Sequence, residues 1–382
     1  MVKTRTLFPL GLLVVCAVTM SGCPVRGPFV NVTTEALELS RAPAAPFLSL
    51  AHSPGALFAV FADRAAATLD LVELPDGPHL PSASPFPEII DKVDVAAPLS
   101  PAFGEHVLSV AGGSSAVFYL DRETDVKNVL KLATRKIGER EWNLDILEPA
   151  GDPLALDSDE RGGFSAAWST GLLSYRTPDG QTASVAPPIP FQIRGRASPD
   201  GAGGFTAFDS LTSQLLWLRW TGTGYSILAI PGGSPVQASL RSASGLLRVL
   251  SWDATARRLM LRQEREPGGT FSSATVTVCD GTGTVALLPG QSDTTFMMLF
   301  DEIRSLGAGR FVSQLSLIAP GSLLGARGTR YRKAVLSSGD ARIDGFAATR
   351  TVDALYVLLS QGDLRLLRIP LGPSSDGSPK AS

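Results

Sequence analysis

The sequence predicts an all-β protein made of about seven copies of one unit, the arrangement of a single β-propeller. A short apolar run that ends in a polar turn recurs at intervals of 40 to 59 residues. The copies lie at 56–63, 116–121, 163–169, 204–209, 247–253, 295–301 and 354–360. Periods of this length with several short strands per copy are typical of propellers, in which each unit is a four-stranded blade. Six to eight blades fit the spacing, and seven fit it best.

Helical solenoids have similar periods, but the composition of the units disfavours them. The units are rich in Val, Thr, Phe and Trp and are broken roughly every 8–12 residues by Gly, Pro, Asp and Ser. Continuous apolar runs at 215–220 and 246–250 are typical of strands buried on both sides between blades. The segment 56–74, with three consecutive alanines, would also tolerate a helix, so a helix stays open as an alternative in the first blade.

The N-terminal end carries the features of an export signal. Lys3 and Arg5 precede an apolar stretch, 7–18, that is too short to span a bilayer, and Ser-Gly stands directly before Cys23. This end resembles a bacterial lipoprotein signal, with Met20 where that signal usually has Leu. The resemblance implies that residues 1–22 are removed and that acyl chains on Cys23 hold the mature protein at a membrane. An ordinary secretory leader that happens to contain Cys is the alternative.

The same resemblance implies a location in the cell envelope. Pro24 follows the modified Cys where an inner-membrane retention signal would have Asp. The outer membrane is therefore expected in a diderm host, with the protein facing the periplasm or the exterior. The predicted organisation is a signal peptide at 1–22, a lipidated N-terminus and tether at 23–40, the propeller at 41–372 and a disordered tail at 373–382.

Charge and cysteine content restrict the partners and the covalent framework. A formal net charge of −2 at pH 7 gives no basic surplus for a nucleic-acid partner. Of three cysteines, Cys16 leaves with the leader and Cys23 is capped, so no internal disulfide is predicted for Cys279. Cys279 ends the alternating run 275–279, which predicts a strand with Cys279 as a small buried hydrophobic residue. No cofactor is predicted.

Five copies end in an Asp residue, and two interpretations of these residues are possible. These acids are Asp63, Asp121, Asp209, Asp253 and Asp301. A ring of carboxylates or calcium ligands is one reading, but calcium needs several oxygen ligands within one short loop. The favoured interpretation is that each Asp accepts hydrogen bonds from backbone N–H groups about two residues on and so closes a hairpin. The histidines, His52, His79 and His106, lack the spacing of metal ligands, so no metal site is predicted.

Several short segments are similar to catalytic or phosphate-binding motifs. The segment 51–55, Ala-His-Ser-Pro-Gly, is similar to a nucleophile elbow, which requires a strand before it and a helix after it. Pro-Gly is also an ordinary turn pair between two strands, and this is the favoured interpretation. The glycines at 232–233 and 281–283 lack the following Gly or Lys of a phosphate-binding loop and are predicted to form turns. No catalytic residue is predicted.

One blade carries a family resemblance. The segment 207–217, AFDSLTSQLLW, resembles the blade motif of quinoprotein-like propellers, in which an Asp opens a turn and an aromatic residue follows on the next strand. Enzymes of that family use a calcium site and often a vicinal Cys pair, and this sequence has no such pair. The non-enzymatic branch includes a lipid-anchored propeller of the outer-membrane protein assembly machinery. The resemblance therefore implies a binding scaffold.

Two groups of residues are candidates for binding. The first is a basic cluster around Tyr331, predicted on a long connection, for which a solvated loop is the alternative: Arg327, Arg330, Arg332 and Lys333. The second is the set of tryptophans, which stack on sugars or pack between blades: Trp142, Trp168, Trp217, Trp220 and Trp252. The predicted function is a lipid-anchored, non-catalytic scaffold that binds an envelope protein or peptide. The alternative is a propeller enzyme or lectin that acts on glycans.

Overall fold

The computed structural model describes residues 30–372 of the 382-residue chain. Gaps in this description fall at 41–47, 64–65, 84, 93–105, 112, 125–126, 148–152, 159–161, 169–172, 177–180, 186–196, 210, 232–235 and 325–330. The predicted signal peptide, the proposed lipidation site Cys23 and the predicted tail at 373–382 lie outside the described residues.

The described chain forms seven four-stranded antiparallel sheets, which are the blades of a propeller. Blade 1 contains β2 (Leu48–Ser53), β3 (Ala56–Asp63), β4 (Thr68–Pro75) and β5 (Glu88–Lys92). Blade 2 contains β6 (His106–Ala111), β7 (Ser114–Thr124), β8 (Lys127–Lys136) and β9 (Asn143–Leu147). Blade 3 contains β10 (Pro153–Ser158), β11 (Phe164–Trp168), β12 (Leu173–Arg176) and β13 (Thr182–Val185).

The second half of the chain repeats the same order. Blade 4 contains β14 (Ser198–Pro199), β15 (Phe205–Asp209), β16 (Gln214–Trp220) and β17 (Tyr225–Ile230). Blade 5 contains β18 (Val236–Arg241), β19 (Leu247–Asp253), β20 (Arg258–Glu264) and β21 (Phe271–Val278). Blade 6 contains β22 (Val285–Pro289), β23 (Phe296–Gly307), β24 (Arg310–Pro320) and β25 (Tyr331–Gly339), and blade 7 contains β26 (Gly345–Arg350), β27 (Ala354–Ser360), β28 (Leu364–Pro370) and β1 (Glu35–Ser40).

The first strand of each blade is the innermost, and these strands close a ring. They contact one another in the order β2, β6, β10, β14, β18, β22, β26 and back to β2. Seven clusters of buried apolar side chains fill the spaces between neighbouring blades. Burial on both sides of a blade explains why its inner strands read as continuous apolar runs in the sequence. The all-β class and the number of blades are therefore confirmed.

The seven recurring apolar runs of the sequence are the second strands of the seven blades, β3, β7, β11, β15, β19, β23 and β27. The helix left open at 56–74 is wrong, since this segment forms β3 and β4. Alternate residues of β3 enter two different clusters: Phe58 packs toward blade 2 and Phe61 toward blade 7. Successive residues of a strand point to opposite sides, so a strand that is apolar on both sides can be buried between two blades. The burial of both sides outweighs the helix propensity of the alanines.

The N-terminal strand completes the last blade, which corrects one predicted boundary. β1 (Glu35–Ser40) falls in the segment predicted as a tether, 23–40, yet it pairs antiparallel with β28 from Glu35 opposite Arg368. Leu37 and Leu39 are buried in the cluster between blades 7 and 1. The propeller therefore includes residues 35–40, because blade 7 takes its outer strand from the beginning of the chain.

The turns divide between two faces, since consecutive strands of a blade are antiparallel. The upper face carries the turns between second and third strands, such as 254–257, 308–309 and 361–363, and the connections from one blade to the next. The lower face carries the turns between first and second strands, such as 54–55 and 351–353, and the connections from third to fourth strands. The strands of the hairpin β23–β24 run past the rest of blade 6, so its turn projects from the upper face.

Helical structure is nearly absent from the described parts of the chain. A short 3-10 turn, Gly321–Leu324, follows β24. In the described residues no helix has both the length and the apolar character needed to cross a membrane.

Candidate functional site

Three of the five repeated acids close turns on the upper face, as predicted. Asp63, Asp209 and Asp253 each accept a hydrogen bond from a backbone N–H group two or three residues further on, at 3.0–3.1 Å. Asp209 also accepts a 2.5 Å hydrogen bond from the Thr212 hydroxyl. These carboxylates satisfy the backbone donors of tight turns, so their role is structural.

Asp121 does not open a turn, and the prediction for it is wrong. β7 continues past Asp121 to Thr124, and the carboxylate lies 2.6 Å from Nζ of Lys131 on the neighbouring strand. Lys131 also contacts Asp91 of blade 1 at 2.7 Å, and Tyr119 donates its hydroxyl to the same Asp91 oxygen at 2.7 Å. Burial lowers the pKa of Lys131, but the two carboxylates outweigh it and leave the pKa raised. This cluster joins blades 1 and 2.

Asp301 is also inside a strand, because β23 runs on to Gly307. Its side chain is fully buried, and Oδ1 accepts a 2.6 Å hydrogen bond from the Ser313 hydroxyl of β24. Burial raises the pKa of Asp301 above its ordinary value, and the hydrogen bond from Ser313 opposes this shift. Asp301 therefore links two strands of blade 6, and the prediction of a turn at this position is wrong.

The predicted basic cluster is only partly within the described residues. Arg327 and Arg330 lie outside them. Tyr331, Arg332 and Lys333 begin β25, the outer strand of blade 6, so the predicted position on a connection is wrong for these three. The ring of Tyr331 lies 5.1 Å from the ring of Phe296, and its hydroxyl accepts a 3.2 Å hydrogen bond from the Phe296 backbone N–H. Tyr331 thus holds β25 to β23 at the lower face.

Lys333 points into blade 6 and forms a buried ion pair. Its Nζ lies 2.5 Å from Oε2 of Glu302, whose side chain is 0 % exposed while that of Lys333 is 13 % exposed. Glu302 also accepts hydrogen bonds from Thr277 at 2.7 Å and from Ser316 at 3.0 Å. Burial raises the pKa of Glu302, but Lys333 and these donors outweigh it and hold the pKa below its ordinary value. The charge of Lys333 is therefore balanced inside the protein.

Cys279 is buried immediately after β21, as the sequence predicts. Its thiol Sγ lies 3.1 Å from the carbonyl oxygen of Gly281. Burial, with the nearby charge of Glu302, raises the pKa of Cys279 to about 11. The thiolate is the reactive form of cysteine, so this side chain is unreactive near neutral pH.

The tryptophans mostly pack between blades. Trp168 is buried in the cluster between blades 2 and 3, and Trp252 packs against the cluster between blades 5 and 6. Trp217 is buried and donates its indole N–H to Asp200 at 2.9 Å. The prediction of core packing is confirmed for Trp168 and Trp252, which hold equivalent positions in their blades.

A histidine, a carboxylate and a tyrosine meet at the lower face, a group that sequence reasoning missed. His52 Nε2 lies 2.7 Å from Oδ2 of Asp76, and the hydroxyl of Tyr356 donates to Oδ1 of the same carboxylate at 2.8 Å. Burial and the hydrogen bond to Asp76 raise the pKa of Tyr356. The residues come from β2, the β4–β5 connection and β27, so only the closed ring brings them together.

The motif 51–55 forms the end of β2 and the tight turn into β3. Gly55 there has a φ of 87°, a conformation that favours glycine. A strand follows the turn where a nucleophile elbow requires a helix, so the predicted turn is confirmed. In the described residues no group of three or more His, Cys, Asp or Glu side chains is placed to hold a metal ion.

The projecting end of β23–β24 is the second group that sequence reasoning missed. We call residues 303–312 the hairpin tip. Leu306 is 55 % exposed and Phe311 is 37 % exposed, and Arg304 and Arg310 are exposed on the same two strands. The signal was present in the sequence, because Gly-Ala-Gly at 307–309 between polar and apolar runs is typical of a tight hairpin turn.

The first described residues show where the N-terminal segment reaches the propeller. The backbone N–H of Val30 donates to the carbonyl oxygen of Lys333 at 3.0 Å, and Val30 and Val32 pack against the cluster between blades 6 and 7. β1 then runs from the lower face toward the upper face, since it is antiparallel to β28. Val30, the first described residue, therefore lies at the lower side of the propeller, opposite the hairpin tip.

Comparison with known proteins supports the fold. No protein-family model and no curated protein sequence matches this chain. Among solved structures, virginiamycin B lyase from Staphylococcus aureus is similar at 9 % identity and a TM-score of 0.54, over 89 % of this chain and 100 % of that chain. The WD40 domain of Toxoplasma gondii coronin is similar at 10 % identity and a TM-score of 0.55, over 92 % of this chain and 89 % of that one.

A third similar structure is YCF48 bound to D1 peptide. It matches at 12 % identity and a TM-score of 0.51, over 90 % of this chain and 99 % of that chain. At such low identity these similarities show a shared β-propeller fold, and the function has to be argued from this chain's own surfaces.

Proposed function

We propose that this chain is a lipid-anchored protein of the bacterial cell envelope that acts as a non-catalytic scaffold for a protein or peptide. The observation that carries the proposal is the separation of two features. Val30, the first described residue, lies at the lower side, and the hairpin tip with its exposed apolar and cationic side chains projects from the upper face. The similar propeller YCF48, solved with D1 peptide, is consistent with a peptide partner.

The anchor follows from the resemblance of the leader to a lipoprotein signal. Cleavage before Cys23 and acylation of its thiol would place the lipid within seven residues of Val30, a segment that spans at most about 25 Å when fully extended. The lower side of blades 6 and 7 would then lie near the membrane, and the upper face would point away from it. In a diderm host we propose the outer membrane, with the protein facing the periplasm or the exterior.

In this proposal the basic cluster has a different role from the partner-binding role predicted from the sequence. Lys333 is balanced by Glu302, and Tyr331 packs against Phe296, so neither is proposed as a partner contact. Arg332 is the second residue of β25 and precedes Lys333, whose carbonyl oxygen accepts the Val30 N–H; Arg327 and Arg330 precede it in the sequence. We propose that these three arginines face anionic lipid headgroups beside the anchor.

The anchor is tested with Cys23→Ser in the producing cells. The variant is expected in the soluble fraction and without labelling by radioactive fatty acid, because the acyl chains attach through the thiol. Cys279→Ser, which changes a thiol buried in the propeller, is the matched control and should stay in the membrane fraction. A Cys23→Ser protein that remains labelled and membrane-bound would contradict the lipid anchor.

The scaffold is tested by crosslinking in the envelope. A photo-reactive amino acid in place of Phe311 on the upper face should capture a defined partner, whereas the same group in place of Val352, 81 % exposed on the lower face, should not. Equal capture from both positions would contradict binding through the upper face.

The alternative function, a propeller enzyme or lectin acting on glycans, is favoured by one observation. His52, Asp76 and Tyr356 form a partly exposed hydrogen-bonded group at the lower face, and a histidine oriented by a carboxylate is a common general base. The similar structure from Staphylococcus aureus is also named a lyase. The purified protein and His52→Gln are to be incubated with envelope polysaccharide. If the wild type turns over the polysaccharide and the variant does not, the enzyme becomes the proposed function in place of the scaffold.

A further inference from the structure

We infer that the hairpin tip binds an extended acidic peptide segment in which apolar residues alternate with carboxylates. This inference rests on the proposed scaffold function and names the chemistry of its partner. Four observations support it: the position of the tip, its exposed apolar side chains, its charge, and a strand edge with which no described strand pairs.

The hairpin tip extends beyond the ladder that forms the rest of blade 6. β22 pairs with β23 as far as Phe300, and β25 pairs with β24 as far as Ser313. Past these positions the two strands pair with each other, from Ile303 opposite Ser313 to Gly307 opposite Arg310. The tip is therefore a two-stranded ribbon that reaches out from the upper face.

One edge of this ribbon is covered, and no described strand pairs with the other. On the β23 side, Ile303 forms a bridge with Gly281, and the backbone N–H of Ser305 donates to Oδ2 of Asp280 at 2.8 Å. On the β24 side, residues 310–312 extend past the end of the β25 ladder. An extended segment can add to such an edge through main-chain hydrogen bonds, and its alternate side chains then face the ribbon.

The side chains of the hairpin tip combine apolar and cationic groups. Leu306 and Phe311 expose apolar surface, and Arg304 and Arg310 are exposed on the same two strands. Residues 303–312 contain these two arginines and no carboxylate. Arginine and aromatic residues supply much of the binding energy at protein interfaces, so this composition suits a protein partner.

Two neighbouring carboxylates, Glu302 and Asp280, are already engaged within the protein. Glu302 is buried against Lys333 at 2.5 Å, with the Arg304 guanidinium further away at 3.5 Å. Asp280 lies 3.0 Å from the Arg257 guanidinium and accepts the Ser305 N–H. The tip therefore presents a positive surface, which favours an acidic partner.

The test measures binding of a synthetic peptide to the purified, full-length mature protein in non-ionic detergent. The probe is a fluorescein-labelled peptide of about nine residues that alternates Asp or Glu with Leu or Phe, with binding read by fluorescence anisotropy. One control peptide has Lys in place of the acids, and another has Ser in place of the apolar residues. Only the probe with both acidic and apolar residues should bind, and raising the salt from about 20 mM to about 300 mM should weaken its binding.

Variants locate the site. Arg304→Gln with Arg310→Gln should weaken binding about tenfold or more, as should Phe311→Ser. The matched controls change exposed residues of the lower face, Arg140→Gln with Arg265→Gln and Val352→Ser, and should leave affinity within about twofold. Circular dichroism spectra matching the wild type exclude loss of fold as the cause.

The outcomes test the binding of the acidic peptide and the proposed scaffold function separately. If the wild type ignores the acidic peptide, or if the tip variants bind it as tightly as the controls do, the inference is wrong. Capture of an envelope partner through another part of the upper face would then still support the scaffold. If the tip binds the peptide while Cys23→Ser leaves the protein at the membrane, the inference stands and the lipid anchor fails.

Discussion

Removing Lys333 should destabilise the protein strongly at neutral pH and weakly in acid. Lys333→Met keeps most of the side-chain volume and removes the charge that balances Glu302, whose side chain is 0 % exposed. Breaking a buried pair in this way leaves a buried charge without its nearest partner and costs about 3–5 kcal/mol. Thr277 and Ser316 still donate to the carboxylate, and the Arg304 guanidinium remains 3.5 Å from it. We therefore expect the lower end, about 3 kcal/mol, near pH 7.

The pH dependence follows from the pKa of Glu302. In the wild type this pKa lies below the ordinary value of 4.5, so the pair's contribution is present above that value and is lost as pH falls through the lower, folded pKa. In Lys333→Met burial dominates and should raise the folded pKa, so the carboxyl can take up a proton and relieve the cost. The difference between wild type and variant should therefore shrink toward about pH 4.

Urea unfolding followed by tryptophan fluorescence measures this difference at both pH values. Arg332→Met, next to Lys333 on β25, is the control and should change stability by less than about 0.5 kcal/mol. Glu302→Gln combined with Lys333→Met should recover most of the loss, because neither charge then remains. A loss that is equal at both pH values, or below about 0.5 kcal/mol at neutral pH, would refute the reasoning.

Three further predictions concern other parts of the fold. Cys279 should resist an aromatic disulfide reagent near neutral pH until denaturant is added, because burial raises its pKa to about 11; rapid labelling of the native protein would contradict this. Asp209→Ala should cost about 1–2 kcal/mol in urea unfolding, because it removes the acceptor for a turn, whereas the exposed neighbour Leu211→Ala should cost little. A chain starting at residue 41 should melt well below one starting at residue 30, because it lacks β1; equal melting temperatures would contradict a stabilising role of β1 in blade 7.

The fold could be predicted because its strongest signal is local and repeated. Each second strand is buried on both sides, so it is apolar along its length and ends at a polar turn, and this pattern recurs in every blade. The turn acids were predicted correctly where the strand stops at the Asp, as at Asp209. At Asp301 the strand continues to Gly307, and the sequence before the turn does not distinguish the two cases.

The features that escaped prediction depend on contacts between distant parts of the chain. β1 is a short mixed segment whose partner, β28, lies near the opposite end of the sequence. The basic cluster reads as one charged surface, but the inward direction of Lys333 is set by Glu302 on another strand. His52, Asp76 and Tyr356 likewise come from three separate elements. Sequence periodicity carries no information on such pairings.

Completion of blade 7 by β1 has a consequence for how the protein is made. The partner of β1 is synthesised almost at the end of the chain. While the ribosome is still making the first six blades, β1 therefore has no strand with which to pair. Pairing between such distant segments is slow, because a long loop must close before any contact is gained. A chain that stops before β28 would keep the apolar side chains of β1 exposed. The last step of folding therefore distinguishes complete chains from unfinished ones.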